Sequence, residues 1–431
     1  MNKIIIGLLL VSVLSFGENV DVTKIAQDYP YKNSAITATV VGAPTSQWYK
    51  FKKPKAPLVR TIKSDKKIPK ILKKWKNYDY GVWIQKTTAP LMIIISGTGS
   101  TYDSGLSVYM ANVFYDRGYN VIAFSSPTTM PYIVSQSKNN YPGYIKDEAE
   151  HLYKIMDEAV NKAKKYDNMK ISKTYVGGYS LGGFQSILTH EIDKKEGKLN
   201  ISKSLILNSP ISILTATKIL DDYLVENGIY DANGLEKYLD TKFKALINNK
   251  NFKLNDVNMS NLMQDVIKLG ITEKDFEILT GLLFRFYSAN MTFAGEVFSG
   301  ENNTKRLSDK TEYKRFDSVT KEFLEGLSVS FEEYSTEILY PSIKVKNQNL
   351  TFDRFIKDFD LKNSEKFIKE NNKDIVFITS EDDVLLTNED KKYIKETFKN
   401  RVLIPFGGHT GILWHKDVAK LMVDKLEEEV K

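Results

Sequence analysis

The sequence predicts an α/β protein with a mostly parallel sheet flanked by helices and interrupted by one large, mostly helical segment. Short apolar runs alternate with amphipathic stretches, and such runs are typical of strands buried on both faces of a parallel sheet. The alternation stops near residue 213 and resumes near residue 371. Because strand–helix–strand units join parallel strands by right-handed crossovers, the two outer regions are predicted to share one sheet.

The elements of the first region follow one another from residue 81. Apolar runs predict strands at 82–84, 91–95, 119–124, 173–177 and 202–207. Apolar residues at helical spacing predict helices that end near 117, over 144–165, and from 183 to about 192. After the interruption, strands are expected at 374–379 and 401–406, and helices at 388–399 and 418–430.

The interrupting segment, residues 213–370, lacks patterns of buried strands. Helices are expected at 215–227, 234–248, 261–269 and 276–298. The last of these is apolar on more than one face. It either forms the core of the segment itself or lines an apolar pocket for a substrate.

Composition excludes several classes of site. The chain has 431 residues and no cysteine, which excludes disulfide scaffolds, thiol nucleophiles and thiolate-bound metals. The net charge of +7 is uneven, because residues 1–76 carry 15 Lys and Arg residues against four Asp and Glu. Residues 50–76 hold 12 basic residues and one acid, Asp65. They form either a solvated lysine-rich surface or a weak contact for an anionic membrane or polymer; no nucleic-acid partner is expected.

The N-terminus predicts export. Residues 4–16 are uncharged after a basic start, and at about 1.5 Å per residue they are too short to cross a hydrocarbon core of about 30 Å. Ser15 and Gly17 supply small residues at the expected cleavage site, so residues 1–17 are predicted to be a cleaved signal peptide of a secreted or periplasmic protein. The expected organisation is this signal, a basic lead (18–79), a core (80–212), a helical cap (213–370) and the rest of the core (371–431).

The sharpest motif is the run Gly-Tyr-Ser-Leu-Gly-Gly at 178–183. It follows a predicted strand and opens a predicted helix, which is the setting of a nucleophile elbow. In such a turn the serine adopts a strained backbone, and Gly178 and Gly182 leave room for the neighbouring strand and helix. Ser180 is therefore the candidate nucleophile.

A serine hydroxyl needs a base to become a nucleophile. Of the four histidines, His151 and His190 fall in predicted helices, where surface or packing roles are expected. His409 follows the strand at 401–406 on a glycine-flanked loop, where its side chain can reach back over the sheet edge. It is the candidate base.

An acid should orient that base. The strand at 374–379 is followed by Ser-Glu-Asp-Asp, and an acid there gives the chain order Ser, Asp, His. Asp383 is preferred and Asp382 is the alternative. Asp221 and Asp222, beyond the strand that ends at residue 207, are more distant candidates.

Two backbone N–H groups should stabilise the negative oxygen of the reaction intermediate. One is expected from Leu181, directly after the nucleophile. The other is expected from the loop 97–99, with Thr98 preferred and Gly99 as the alternative. No Lys-Ser or Lys-Thr pair follows either glycine-rich turn, so a phosphate-binding loop is excluded.

Together these motifs resemble the α/β-hydrolase superfamily, over roughly 80–212 and 371–431. The resemblance is carried by residues 178–183, 380–383 and 407–409, each after a strand and in the right order. It implies an eight-stranded, mostly parallel sheet, a catalytic triad of Ser180, Asp383 and His409, and a cap or lid at 213–370. Many members carry His-Gly at the oxyanion loop, where this sequence has Ser96-Gly97.

The resemblance implies a secreted serine hydrolase without a metal or organic cofactor. A small-molecule or lipid-like carboxylic ester is the expected substrate, since esters are the commonest substrates in the superfamily. Two alternatives remain open: a peptidase or amidase with the same triad, and a non-catalytic surface-binding protein on the same scaffold.

Overall fold

The structure, a computed structural model, describes residues 28–248, 272–300 and 313–428. The predicted signal peptide (1–17) and the predicted helix at 261–269 therefore lie outside the described residues. Within the described ranges, no helix combines the length and the apolar character needed to cross a membrane.

The centre of the molecule is one eight-stranded sheet. Its strands are β1 (Leu58–Lys63), β2 (Asn77–Trp83), β3 (Ala89–Ile95), β4 (Asn120–Phe124), β5 (Ile171–Tyr179), β6 (Ile201–Leu207), β7 (Ile375–Ser380) and β8 (Arg401–Ile404). They lie in the order β1-β2-β4-β3-β5-β6-β7-β8. Strand β2 runs antiparallel to its neighbours β1 and β4, and the other neighbouring pairs are parallel. The predicted eight-stranded, mostly parallel sheet is thereby confirmed.

Helices cover the sheet and fill the long segment between β6 and β7. They are α1 (Ala35–Val41), α2 (Gly105–Asp116), α3 (Met130–Ser135), α4 (Ile145–Tyr166), α5 (Leu181–Glu196), α6 (Ile213–Glu226), α7 (Ala232–Asn248), α8 (Glu273–Ser299), α9 (Thr320–Gly326), α10 (Phe331–Glu333), α11 (Tyr340–Lys346), α12 (Phe352–Lys357), α13 (Glu365–Glu370), α14 (Asn388–Thr397) and α15 (Lys416–Glu427). A π-helical turn, Tyr334–Leu339, joins α10 to α11.

Side chains of the central strands alternate between two apolar layers, as the two-residue period of a strand requires. Met92 and Ile94 of β3 pack in the layer that contains α2 and α15. Ile93 and Ile95 pack in the opposite layer with α4. Because both faces are covered, all five residues of β4 are buried, which explains the continuous apolar runs in the sequence.

The sheet begins at Leu58, earlier than the boundary predicted at residue 80. Strand β1 pairs antiparallel with β2 at the edge of the sheet. Leu58 and Val59 are 41% and 50% exposed, and only Ile62 of β1 is buried. An edge strand with so little buried surface carries no continuous apolar run, so its pattern in the sequence is weak.

The basic stretch 50–76 includes β1 and the 3₁₀ turn Lys70–Trp75. Most of its basic side chains are exposed, but Lys55, Arg60 and Lys66 are half-buried. Lys66 donates a hydrogen bond to the carbonyl oxygen of Ser137 at 2.7 Å, and burial lowers its pKa to about 8. The Nζ of Lys55 lies 3.3 Å from the hydroxyl of Tyr115. The ammonium groups of these two lysines are therefore held against neighbouring groups of the chain.

The end of the segment between β6 and β7 packs on the core helices rather than standing apart. The ring of Phe355 in α12 stacks on Tyr144, which precedes α4, with centroids 5.4 Å apart. Phe367 of α13 makes an edge contact with His190 of α5 at 5.3 Å. Residues 352–370 thus cover the sheet, and the helices before them reach the edge where the parallel strands end.

Candidate active site

Ser180 occupies a strained turn between β5 and α5. Its backbone has φ 55° and ψ −126°, which a residue with a side chain rarely adopts. A Cβ atom added to Gly178 would stand 2.4 Å from the carbonyl oxygen of Ile95, and one added to Gly182 would stand 2.0 Å from the same oxygen. Both positions therefore require glycine, and the turn has the geometry of a nucleophile elbow.

His409 lies against this serine on the loop after β8. Its Nε2 is 2.8 Å from Oγ of Ser180. Gly407 and Gly408 before it have positive φ angles of 141° and 58°. This backbone turns the loop back over the sheet edge, as the glycine flanks predict.

Asp383 contacts the other side of the imidazole. Its two carboxylate oxygens lie 3.0 and 3.1 Å from Nδ1 of His409, and its side chain is 1% exposed. The carboxylate also accepts hydrogen bonds from Nδ2 of Asn208 at 2.9 Å and from the N–H of Leu385 at 3.0 Å. The structure thus brings together Ser180, His409 and Asp383 in one chain of hydrogen bonds.

Asp382, the alternative acid, makes a different set of contacts. Its carboxylate accepts the N–H groups of Gly407 and Gly408 at 3.2 and 2.9 Å. Burial raises the pKa of this carboxyl, while the two backbone hydrogen bonds favour its charged form. Asp382 therefore holds the loop that carries His409 but does not touch the imidazole in the described structure.

The other candidate acids and histidines lie in other contacts. Asp221 is paired with Arg285 and Asp222 with Lys218. His190 is fully buried, shares a hydrogen bond with the hydroxyl of Ser204, and burial lowers its pKa to about 4. Burial likewise lowers the pKa of His151 to about 4. Within the described residues, no cluster of His, Asp and Glu is arranged to hold a metal ion.

The backbone around the serine offers two N–H groups. Those of Leu181 and Thr98 donate no hydrogen bond to any other described residue. The N–H of Gly99, in contrast, donates to the hydroxyl of Thr128 at 2.7 Å. Within the described residues the N–H of Thr98 is thus unpaired and that of Gly99 is paired. Gly99 has a spatial role instead, because its Cβ would lie within 1.7 Å of the Tyr287 ring in α8.

Ser180 and His409 open into a cleft of about 320 Å³. Its walls come from the loop 97–100, from helix α1 through Thr39 and Val40, and from helix α8 through Leu279, Leu283 and Phe284. Leu220 of α6 and the loop after β7, through Val384 and Leu385, complete them. A serine, a base and an orienting acid at the bottom of such a cleft can carry out nucleophilic attack on a carbonyl carbon.

Two residues near the site were not predicted as site residues. The hydroxyl of Thr39 accepts the backbone N–H of His409 at 2.8 Å, although 370 residues separate them. Asn208 binds Asp383 and follows the end of β6. The apolar run at 202–207 predicts the end of this strand, and a polar residue directly after it lies at the same sheet edge as the other site residues. That position is the signal that could have identified Asn208. No sequence pattern links Thr39 to the histidine loop.

Comparison with known proteins gives matches in fold only. No family model and no curated protein matches the chain. Among solved structures it is similar to a soluble variant of monoglyceride lipase from Saccharomyces cerevisiae (13% identity, 88% of this chain and 96% of that one, TM-score 0.42). It is also similar to Est1E from Butyrivibrio proteoclasticus (11%, 86% and 99%, 0.38) and to an alpha/beta fold family hydrolase from Bacillus anthracis (14%, 87% and 100%, 0.37).

The strand order, the chain order of the three polar residues and the position of the strained serine agree with one another. The serine follows β5, the acid follows β7 and the histidine follows β8, all at the same sheet edge. This arrangement gives the chain the α/β-hydrolase fold.

Proposed function

We propose that this protein is a secreted serine hydrolase that cleaves carboxylic esters through an acyl-enzyme. The observation that carries the proposal is the hydrogen-bond chain from Ser180 through His409 to Asp383. A protein that only binds a surface needs no such chain, and its three members come from distant parts of the sequence.

In the first step, Oγ of Ser180 attacks the ester carbonyl carbon while Nε2 of His409 takes the hydroxyl proton. Asp383 holds the imidazole through Nδ1 and stabilises its charged form. The N–H groups of Leu181 and Thr98 bind the negative oxygen. The bond to the alcohol oxygen then breaks, and His409 gives that oxygen its proton.

In the second step, water attacks the acyl-enzyme. His409 takes a proton from the water, a second tetrahedral intermediate forms, and the bond to Oγ breaks as His409 returns the proton to Ser180. The products are a carboxylic acid and an alcohol, and no oxidant, metal or cofactor enters the balance of the proposed reaction.

The preference for esters is supported by the apolar side chains around the cleft. Leu279, Leu283 and Phe284 line it on the α8 side.

Hydrolysis of p-nitrophenyl esters of graded acyl length tests the proposal. The wild type should cleave at least the short esters, and Ser180→Ala should reduce the rate to background. Ser335→Ala is the matched control, since Ser335 is a buried serine of the π-helical turn away from the site. Faster cleavage of p-nitroanilides than of esters would instead identify an amidase, and no cleavage of either would contradict the proposal.

Secretion is the part of the proposal that rests on residues 1–17. The basic start, the short apolar run and the small residues before Glu18 support it. Mass spectrometry of the protein from its native cells should find a mature chain that begins at Glu18. A chain that keeps residues 1–17 in the cytoplasm would contradict this part and leave the catalytic part untouched.

A further inference from the structure

A second, smaller chamber lies beside the cleft and shares Thr98, Leu220 and Phe284 with it. Its free space is about 70 Å³. Its wall is mostly apolar and comes mainly from α4, α5, α6 and α8. Leu181, the residue after the candidate nucleophile, also lines it. The chamber is therefore within reach of a group attached to the carbonyl carbon of an ester that Ser180 attacks.

The proposed chemistry decides which part of the substrate faces this chamber. His409 must reach the leaving alcohol oxygen, so the alcohol lies in the cleft on the side of Thr39 and His409. The acyl group then extends in the other direction, past Thr98 and Leu181. Helix α8 covers that side, where Phe284, Tyr287, Ser288 and Met291 recur at the spacing of one helix face.

Two polar side chains in the wall of this apolar chamber have no hydrogen-bond partner in the part of the chain that the structure describes. Gln185 is fully buried, and neither its amide nitrogen nor its amide oxygen has a hydrogen-bond partner among the described residues. The hydroxyl of Ser288 is likewise buried, with the residue 2% exposed, and unpartnered within those residues. An unsatisfied buried amide is costly, so one that persists in a folded protein calls for an explanation, and a bound ligand group is one that fits here.

The charged residues of the wall, in contrast, are already satisfied. Arg285 donates to Asp221 and to the carbonyl oxygens of Leu327 and Ser328. The Glu148 carboxylate accepts hydrogen bonds from the hydroxyl of Ser137 and the N–H of Gly143. Burial raises the pKa of Glu148 and of Asp221. The wall thus holds two carboxyl groups and one guanidinium, which is already paired with Asp221. This disfavours a further negative charge, so a neutral occupant fits the chamber best.

We propose that the enzyme prefers esters whose short acyl group carries a neutral hydrogen-bonding group, and that Gln185 and Ser288 bind this group and determine specificity. The inference rests on the ester hydrolase function proposed above. A water needs about 10–15 Å³ of such space, so the chamber admits roughly five non-hydrogen atoms. Gln185 lies one helical turn after Leu181, about 6 Å along α5, which places the polar group only a few bonds from the carbonyl carbon.

Two p-nitrophenyl esters of equal size test the proposal. The N-acetylglycyl ester places an amide in the chamber, and the 4-methylpentanoyl ester places an alkyl group of the same shape there. The measured quantity in each variant is kcat/KM for the N-acetylglycyl ester divided by kcat/KM for the 4-methylpentanoyl ester. Intrinsic differences in reactivity between the two esters cancel when this ratio is compared between variants. Gln185→Met should lower the ratio roughly ten- to a hundredfold, since a site built to bind a polar group loses its discrimination when that group is replaced.

Ser288→Ala should lower the same ratio. Because this substitution lies in α8 and leaves α5 unaltered, the test remains valid if Gln185→Met folds poorly. Thr189→Val is the matched control. It removes a buried hydroxyl one turn further along α5, whose bonds go to carbonyl oxygens of that helix, and it should leave the ratio unchanged.

The outcomes separate the two proposals. Cleavage of both esters with the same ratio in wild type, Gln185→Met and Ser288→Ala overturns the specificity inference alone. Failure of the wild type to cleave either ester, together with failure of Ser180 to react with a fluorophosphonate, overturns the hydrolase function on which it rests.

Discussion

At the residue scale, the two neighbouring acids of the loop after β7 have different contacts. Asp383 touches the imidazole of His409, whereas Asp382 binds the backbone of the loop that carries it. Adjacent carboxylates, one buried and one half-buried, can therefore contribute to one site by two routes, one electrostatic and one through position.

This difference predicts unequal kinetic effects. Asp383→Asn should lower kcat by about a thousandfold or more, because the amide cannot stabilise the charged imidazole. Asp382→Asn should lower kcat much less, since His409 keeps its contact with Asp383. Steady-state kinetics with a p-nitrophenyl ester compares them. A larger loss in Asp382→Asn would assign the orienting role to Asp382 instead.

The elbow glycines predict an effect on stability. Gly182→Ala would place a methyl group 2.0 Å from the Ile95 carbonyl oxygen. Neither the methyl group nor the Ile95 backbone can turn away by a side-chain rotation, so the unfolding free energy should fall by about 2 kcal/mol or more. Gly234→Ala is the control, since the nearest atoms to its Cβ would be 3.5 Å away in a helix. Urea unfolding measures both. Equal stabilities of the two variants would contradict the described packing.

At the scale of elements, helix α1 and helix α8 complete a site whose chemistry comes from the sheet edge. Helix α1 packs against the glycines of the histidine loop: a Cβ on Gly408 would lie 2.3 Å from the carbonyl oxygen of Ala35, and one on Gly411 would lie 2.0 Å from that of Ala38. The position of His409 therefore depends on an element that precedes the first strand.

Removal of the hydrogen bond between Thr39 and His409 tests whether α1 positions the base. Thr39→Val removes the acceptor of the His409 N–H and should lower kcat/KM roughly ten- to a hundredfold, because a small displacement of the base is costly. Thr39→Ser keeps the hydroxyl and should restore most of the activity. If Thr39→Val and Thr39→Ser are equally active, α1 does not position the base.

The sequence predicts the elements of this site unevenly. Ser180, His409 and Asp383 each follow a strand with a strong apolar run, so their common edge is visible from the topology that such runs imply. Strand β1 and the contact of Thr39 are not visible, because an exposed edge strand lacks the apolar run and a contact across 370 residues has no local pattern. The chamber beside the cleft is not visible in the sequence either, since its wall comes from several helices that are distant along the chain.

At the scale of the whole molecule, the site sits between the sheet and the helices that follow β6. Helices α12 and α13 of that segment pack on α4 and α5, and the buried His190 lies in this contact. The stability of the molecule should therefore depend on the protonation of a group far from the catalytic chemistry.

His190 predicts a pH dependence of stability. Burial lowers its pKa from 6.5 to about 4, so the unfolded chain takes up the proton first and stability falls as the pH drops from about 7 towards 4. At pH 5.5 this group alone should account for a loss of about 1 kcal/mol. His190→Gln should lose less stability than wild type between pH 7.5 and 5.5 in urea unfolding. An unchanged pH dependence would contradict this prediction.

The central claim is that Ser180 is a nucleophile activated by His409. Reaction of the intact protein with a fluorophosphonate, followed by mass spectrometry of its peptides, tests it most directly. The predicted result is one covalent adduct on Ser180, absent in Ser180→Ala and formed much more slowly in His409→Gln. No adduct in the folded wild type, an adduct on another serine, or labelling that is equally fast without His409 would contradict the account.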